Sequence, residues 1–208
     1  MMSEPQPTVF VVDDDASIRR ALSYLLASAG YRVETYASAD KFLAREPYDG
    51  VGCIILDVRM PSLSGMDLQE KLIQLACSTP IIFYTGHGEL DMGVQAMKKG
   101  AVDFLTKPCE DDKLLGAVDS AIQKARTTRA VTEEAKDIRR RIALLTPREY
   151  DVLRYVVLGM LNKQIAGKLA IAEATVKIHR RHIMEKLCAD SVADLVRLAE
   201  KAGIELPE

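Results

Sequence analysis

The chain has 208 residues, of which 48% are apolar and 28% charged, with a formal net charge of −2. That length is long for one domain and comfortable for two, and the composition is ordinary for a soluble globular protein. No run approaches the roughly 18 apolar residues of a membrane span; Met1–Pro7 lacks the basic start and apolar core of a secretory leader; and the four scattered cysteines form no Cys-x-x-Cys pair, which argues against a zinc or disulfide framework and suits a reducing cytoplasm.

The first element is Thr8–Val12, an apolar run of strand length ended by Asp13, Asp14 and Asp15. Asp15 is read as a turn former or helix N-cap. Ala16–Ala29 has Ile18, Leu22, Leu25, Leu26 and Ala29 at helical spacing, with Gly30 as its stop. A second strand is predicted over Tyr31–Tyr36, and a short helix over Ala39–Leu43. The third strand is the centre of the pattern. Cys53-Ile54-Ile55-Leu56 runs directly into Asp57, and a buried parallel strand gains nothing from ending in a charge. A helix over Gly65–Ala76 follows, then a strand over Pro80–Tyr84 ending at Thr85, a helix over Asp91–Lys99, and a strand over Val102–Leu105 ending at Thr106-Lys107-Pro108.

Strand and helix alternating five times predicts an α/β fold, a five-stranded doubly wound parallel sheet with right-handed crossovers. Ligands in such sheets bind at the carboxyl ends of the strands. Asp13, Asp14, Asp57, Thr85 and Lys107 therefore meet on one rim. Clustered carboxylates repel one another and call for a cation, and hard oxygen ligands select Mg²⁺. Thr85 is a donor to a phosphoryl oxygen, Lys107 a point charge for it, and a carboxylate can be a nucleophile that forms an aspartyl phosphate. Asp57 suits that role because it stands apart from the Asp13-Asp14 pair. His87, a lone loop histidine, is more simply a solvated turn residue. With Arg59 it flanks the expected phosphoryl position, where both are candidates for tuning hydrolysis.

From Lys113 to Leu145 there is no proline and one glycine, Gly116. Leu115, Val118, Ile122 and Ala125 repeat at helical spacing. So do Val131, Ala135, Ile138, Ile142 and Leu145, but out of phase with the first series. One long helix, or two nearly continuous ones, is expected. Its second half either packs on its own carboxyl-terminal domain or pairs in a dimer. Thr146-Pro147-Arg148-Glu149 is a helix start with Thr as N-cap, Pro at the first position and Glu at the third. Helices are then predicted over Asn162–Leu169, Glu173–Leu187 and Ser191–Ala202, the last capped by Ser191. Charge is divided unevenly: residues 1–120 carry −7 and residues 121–208 carry +5. Much of that excess lies in Lys124–Arg141, since residues 145–208 hold 10 basic against 9 acidic groups. An acidic front and a basic back point the polyanion partner to the back. Short helix, turn, then a helix with Lys177, Arg180 and Arg181 near its start is the helix-turn-helix arrangement, whose second helix enters the major groove. The competing account of those charges is a solvated face.

Residues 8–125 resemble the receiver domain of two-component response regulators. The matching residues are Asp13-Asp14, Asp57 before Met60-Pro61, Gly65, Thr85 and Lys107-Pro108. The resemblance implies a flavodoxin-like strand order 2-1-3-4-5 and phosphoryl transfer to Asp57 from a sensor histidine kinase. It further implies Mg²⁺ held by Asp13, Asp14, Asp57 and the Arg59 carbonyl, phosphoryl oxygens bound by Thr85 and Lys107, a cis Lys107-Pro108 bond, and Phe104 as the switch aromatic. Many members carry Tyr at that last position; Phe lacks the hydroxyl, so a switch here works by packing.

Residues 146–203 are similar to the LuxR-type four-helix DNA-binding domain. The resemblance rests on Leu145-Thr146-Pro147-Arg148-Glu149, Asn162-Lys163-Gln164-Ile165-Ala166, Thr175-Val176-Lys177-Ile178-His179, and Met184 with Lys186-Leu187. It implies base contacts from Lys177, Ile178 and Arg181, and phosphate contacts from Lys163, Thr175, His179 and Arg180. Ala172-Glu173-Ala174 departs from the small polar residues often found before the recognition helix. Together the two resemblances indicate a response regulator of the NarL/FixJ type, FixJ-like branch. The expected layout is receiver 1–125, helical connector 126–144 and helix-turn-helix domain 145–208. Expected partners are the kinase, double-stranded promoter DNA, a second copy of the chain when phosphorylated, and RNA polymerase as a further candidate. No membrane or turnover chemistry is expected. The alternatives are a constitutive DNA-binding protein on an inert receiver scaffold, and an aspartyl-phosphate hydrolase. Against the hydrolase, Arg59 stands where such enzymes commonly place a second Asp.

Overall fold

The computed structural model describes residues 6–86 and 90–207, and the chain divides into two compact units, 1–129 and 130–208. In the first unit the elements are β1 (Thr8–Val12), α1 (Ala16–Ser28), β2 (Arg32–Tyr36), α2 (Ala39–Leu43), β3 (Gly52–Leu56), α3 (Gly65–Gln74), β4 (Ile81–Thr85), α4 (Leu90–Lys98), β5 (Asp103–Thr106) and the start of α5 (Asp111–Ile142). All strand pairs are parallel, in the order β2-β1-β3-β4-β5. The architecture is the doubly wound sheet expected from the alternation.

Period-two alternation sorts the central strands into two cores. Val9, Val11, Cys53, Ile55, Ile82 and Tyr84 face Leu22 and Leu26 of α1 and Leu114, Val118 and Ile122 of α5. Phe10, Val12, Ile54, Leu56, Ile81 and Phe83 face Phe42, Leu68, Leu72 and Ala96. Strands β1, β3 and β4 are buried at every position, which is why they read as continuous apolar runs. Each large side chain buried this way contributes about 1.5–3 kcal/mol.

Several boundaries differ by a residue or two. β4 begins at Ile81, because Pro80 has no N–H for the ladder and supplies only its carbonyl, to Ile54 N at 2.9 Å. β5 ends at Thr106, which pairs with Thr85. Asp15 caps α1, its Oδ1 accepting from Ser17 N at 2.7 Å, and burial does not oppose the effect enough to stop these backbone bonds lowering its carboxyl pKa. His87 lies outside the described residues.

Helix α5 is continuous over 32 residues. Its first series of apolar residues packs on the sheet. In the second unit Ile138 is buried, and Ile142 and Leu145 pack on the local core, while Val131 is 62% exposed. The second series thus serves largely as packing for its own unit. That unit continues with α6 (Pro147–Val157), α7 (Asn162–Leu169), α8 (Glu173–Leu187) and α9 (Val192–Ala202). They enclose one core of Val152, Leu153, Val156, Ile165, Val176, Ile183, Leu187 and Leu195. No helix among the described residues is long and apolar enough to cross a membrane.

Candidate functional site

Register assembles the rim. β1 and β3 run side by side with Val12 opposite Leu56, so the next residues, Asp13 and Asp57, emerge together. Asp57 N donates to Val12 O at 2.9 Å, and Asp13 N to Tyr36 O at 3.1 Å. Across the sheet, Lys107 N donates to Thr85 O at 2.8 Å, and the Lys107-Pro108 bond is cis. Asp13 and Asp57 are 2% and 6% exposed, Thr85 is fully buried, and Asp14 is open to solvent.

One carboxylate oxygen from each of Asp13, Asp14 and Asp57 lies within 4.8 Å of the others. The Lys107 ammonium stands 2.6 Å from Asp13 Oδ2 and 3.1 Å from Asp57 Oδ1. Burial alone pulls the lysine pKa down, but the hydrogen bond and charge of Asp13, then the charge of Asp57, outweigh it and hold the pKa above its ordinary value. Asp57 Oδ1 is buried and makes no aligned hydrogen bond despite that ion pair. A cluster of three carboxylates with one ammonium, an unsatisfied buried oxygen and an exposed third ligand fits a hard, oxygen-seeking divalent cation. It also leaves a carboxylate oxygen available as a nucleophile.

Two supports of this rim have a physical reason that is not apparent from sequence. Tyr84 places its ring 5.4 Å from the Lys107 ammonium, a cation–π contact from a residue read only as strand. Gly65 opens α3 against the loop after β3, where an added Cβ would lie 2.1 Å from the Asp57 carbonyl oxygen. The same loop is closed by a capping box of Ser64 and Asp67. Phe104 is half-buried, its ring centroid 5.9 Å from that of Phe83, and Gly93 of α4 lies against it. Arg59 is exposed, two residues after Asp57.

In the second unit, Val176, Ile183 and Leu187 form the buried stripe of α8. The opposite face carries Lys177, Ile178 and Arg181, whose side chains are 64%, 49% (whole residue) and 69% exposed. Lys163 is exposed; Thr175 and His179 are half-buried. Arg180 differs from its neighbour, since its Nη1 donates to Asn162 Oδ1 at 3.0 Å and ties α8 to the start of α7. Ala172 provides no side-chain cap, in line with the departure noted in the sequence.

The expected capping box forms: Thr146 N donates to Glu149 Oε2 at 2.8 Å, and Glu149 N to Thr146 Oγ1 at 3.3 Å. Glu149 also accepts from Lys186 Nζ at 2.7 Å, and His182 Nδ1 lies at 3.5 Å. Burial raises the Glu149 pKa, but the Lys186 hydrogen bond and then the Thr146 bonds overcome it and lower the value to about 2. Lys186 additionally donates to Leu144 O at 3.1 Å. This one ammonium fixes α8 against the start of α6.

Comparison with known proteins covers both units. The receiver model "Response regulator receiver domain" matches residues 9–119, and "Bacterial regulatory proteins, luxR family" matches residues 143–199. Nodulation protein W of Bradyrhizobium diazoefficiens is 46% identical over 196 residues, covering 94% of this chain and 86% of that protein. The transcriptional regulatory protein FixJ of the same organism is 42% identical over 196 residues, covering 94% and 96%. Among solved structures, the response regulator StyR is 47% identical with a TM-score of 0.83, covering 95% of this chain and all of that one. Full-length FixJ from B. japonicum is 42% identical with a TM-score of 0.56, covering 95% and 98%.

Proposed function

Because this chain belongs to the response regulators of the NarL/FixJ type, on the FixJ-like branch, we propose that it is a DNA-binding transcriptional regulator switched by phosphorylation of Asp57. The observation that carries this is the buried Asp57 carboxylate, with Oδ1 free of hydrogen bonds beside Lys107 and two further carboxylates.

In this account an Asp57 carboxylate oxygen attacks the phosphorus of a phosphohistidine on a sensor kinase. The P–N bond breaks and the imidazole departs. Asp13, Asp14, Asp57 and the Arg59 carbonyl would hold Mg²⁺, which when bound neutralises phosphoryl charge. Lys107 turns from Asp13 toward the phosphoryl oxygens, and Thr85 donates its hydroxyl to them. Phe104 repacks against Phe83 and Gly93 as Thr85 moves. The change is carried on α4, where Val94 and Met97 are each 45% exposed and suit pairing with a second copy. Lys177, Ile178 and Arg181 then read base edges, while Lys163, Thr175 and His179 bind backbone phosphates. Arg180, engaged by Asn162, contributes to phosphate binding by orienting α8. The molecule acts as a stoichiometric switch in the cytoplasm, biasing an equilibrium by a few kcal/mol, with RNA polymerase as a downstream partner.

The test is intact mass after incubation with Mg²⁺ and a small phosphodonor. Wild type gains one acid-stable, base-labile phosphoryl group, and Asp57→Ala gains none. A wild-type chain that takes up no phosphoryl group, and binds no phosphate mimic with Mg²⁺, would leave a constitutive DNA-binding protein on an inert scaffold.

A further inference from the structure

Asp13 is held from four directions. Its N–H donates to Tyr36 O at 3.1 Å. Its Oδ1 accepts from Asp15 N at 2.8 Å and its Oδ2 from Lys107 Nζ at 2.6 Å. Its carbonyl oxygen accepts from Arg19 Nη1 at 2.7 Å. The first three partners belong to the rim or the adjoining strand. The fourth reaches over from α1 and has no place among the phosphoacceptor residues. Arg19 is half-buried, and the Asp13 carbonyl is the one hydrogen-bond or ion-pair partner of its guanidinium among the described residues.

We propose that Arg19 is a positioning residue for cation binding at this rim, through the peptide plane that joins Asp13 to Asp14. The inference rests on the phosphoacceptor reading above. The carbonyl of Asp13 and the N–H of Asp14 share one rigid plane. Tyr36 fixes the chain on the amino side of Asp13. Arg19 fixes it on the carboxyl side, and so sets where Asp14, the exposed member of the cluster, begins. Its role grows when the site is loaded. Lys107 cannot clamp Asp13 and serve a phosphoryl group at once. As it leaves, Asp13 loses a charge-assisted bond, and the Arg19 and Tyr36 contacts become its principal backbone anchors.

Charge alone predicts the opposite effect, which makes the proposal decidable. Arg19 is a cation near an acidic cluster, so deleting it for charge reasons should tighten Mg²⁺ binding. Deleting it as an anchor should weaken binding. Arg20 is the control: it is adjacent, exposed and equally charged, and its side chain has no hydrogen-bond or ion-pair partner among the described residues.

The experiment uses the full chain in two assays: a calorimetric Mg²⁺ titration, and the rate of phosphorylation by acetyl phosphate as a function of Mg²⁺. Arg19→Ala is expected to raise the half-saturating Mg²⁺ concentration about five- to tenfold, within the net worth of one ordinary hydrogen bond. Its rate at saturating Mg²⁺ should stay within about twofold of wild type. Arg19→Lys, which keeps a donor, should recover most of the affinity, and Arg20→Ala should leave it unchanged or slightly tighter. Unchanged or tighter binding in Arg19→Ala overturns the proposal. So does an equal shift in Arg20→Ala, or a fallen saturating rate with an unshifted midpoint. Wild type that binds Mg²⁺ but takes no phosphoryl group defeats the phosphoacceptor reading, while the calorimetry still decides the role of Arg19. Wild type that binds no Mg²⁺ defeats both.

Discussion

A methyl group on Gly65 would stand 2.1 Å from the Asp57 carbonyl oxygen, far inside contact distance. The atom it meets is backbone of Asp57, the proposed phosphoacceptor, so the strain has no flexible side chain to absorb it. Gly65→Ala should therefore cost at least about 2 kcal/mol in urea unfolding of the first unit, together with phosphorylation of Asp57. A variant as stable as wild type would mean the loop relaxes freely. The glycine was visible in sequence as a motif position, but its reason was not, because the close approach joins α3 to the end of β3. The same limit separates Arg180 from Arg181. Both are basic residues on one helix, and nothing local distinguishes them. Only Asn162, eighteen positions earlier, shows that Arg180 is engaged. Arg181→Ala should weaken DNA binding about tenfold and leave thermal stability alone. Arg180→Ala should lower the stability of the second unit by about 1 kcal/mol as well. Binding isotherms and melting curves on the two variants check this, and identical behaviour would refute the distinction.

At the scale of elements, the strands that carry the site were the most legible, because burial on both faces leaves an unbroken apolar run and makes each terminal polar residue conspicuous. Asp13, Asp57 and Thr85 were found that way. The helix start at Thr146 was also legible, since its capping box is local. Lys186 was not, since its contact with Glu149 spans 37 positions. Two helices depend on that pair, and a pH dependence follows. Glu149 has a pKa near 4.5 when unfolded and about 2 when folded. Between these values the unfolded chain binds more protons, so the stabilisation is complete above about pH 4.5 and is lost as pH falls toward 2. Chemical unfolding of the second unit should record this loss. Glu149→Gln should be the less stable protein at neutral pH and should converge with wild type near pH 2. Parallel curves for the two proteins across that range would remove Glu149 as the cause. Helix α5 illustrates the other limit of sequence. Two out-of-phase apolar series allowed a break, yet the helix is continuous, because each series satisfies a separate core.

At the scale of the molecule, an acidic unit of phosphoacceptor chemistry is joined to a unit that presents an exposed basic helix face. By formal charge the first unit, residues 1–129, carries −4 and the second, residues 130–208, carries +2, a division that favours the second unit for a polyanion. That division was plain in the composition, whereas a coupling between the units is a property of populations and leaves no pattern in the sequence. The most direct test is the affinity of the full chain for DNA fragments enriched from genomic sequence, at fixed salt, with and without beryllofluoride and Mg²⁺ as a phosphoryl mimic. The account predicts that the mimic tightens binding at least about tenfold in wild type, or about 1.4 kcal/mol, and leaves Asp57→Ala unchanged. Equal affinity in wild type with and without the mimic would contradict it: the two units would then share a chain without sharing a switch.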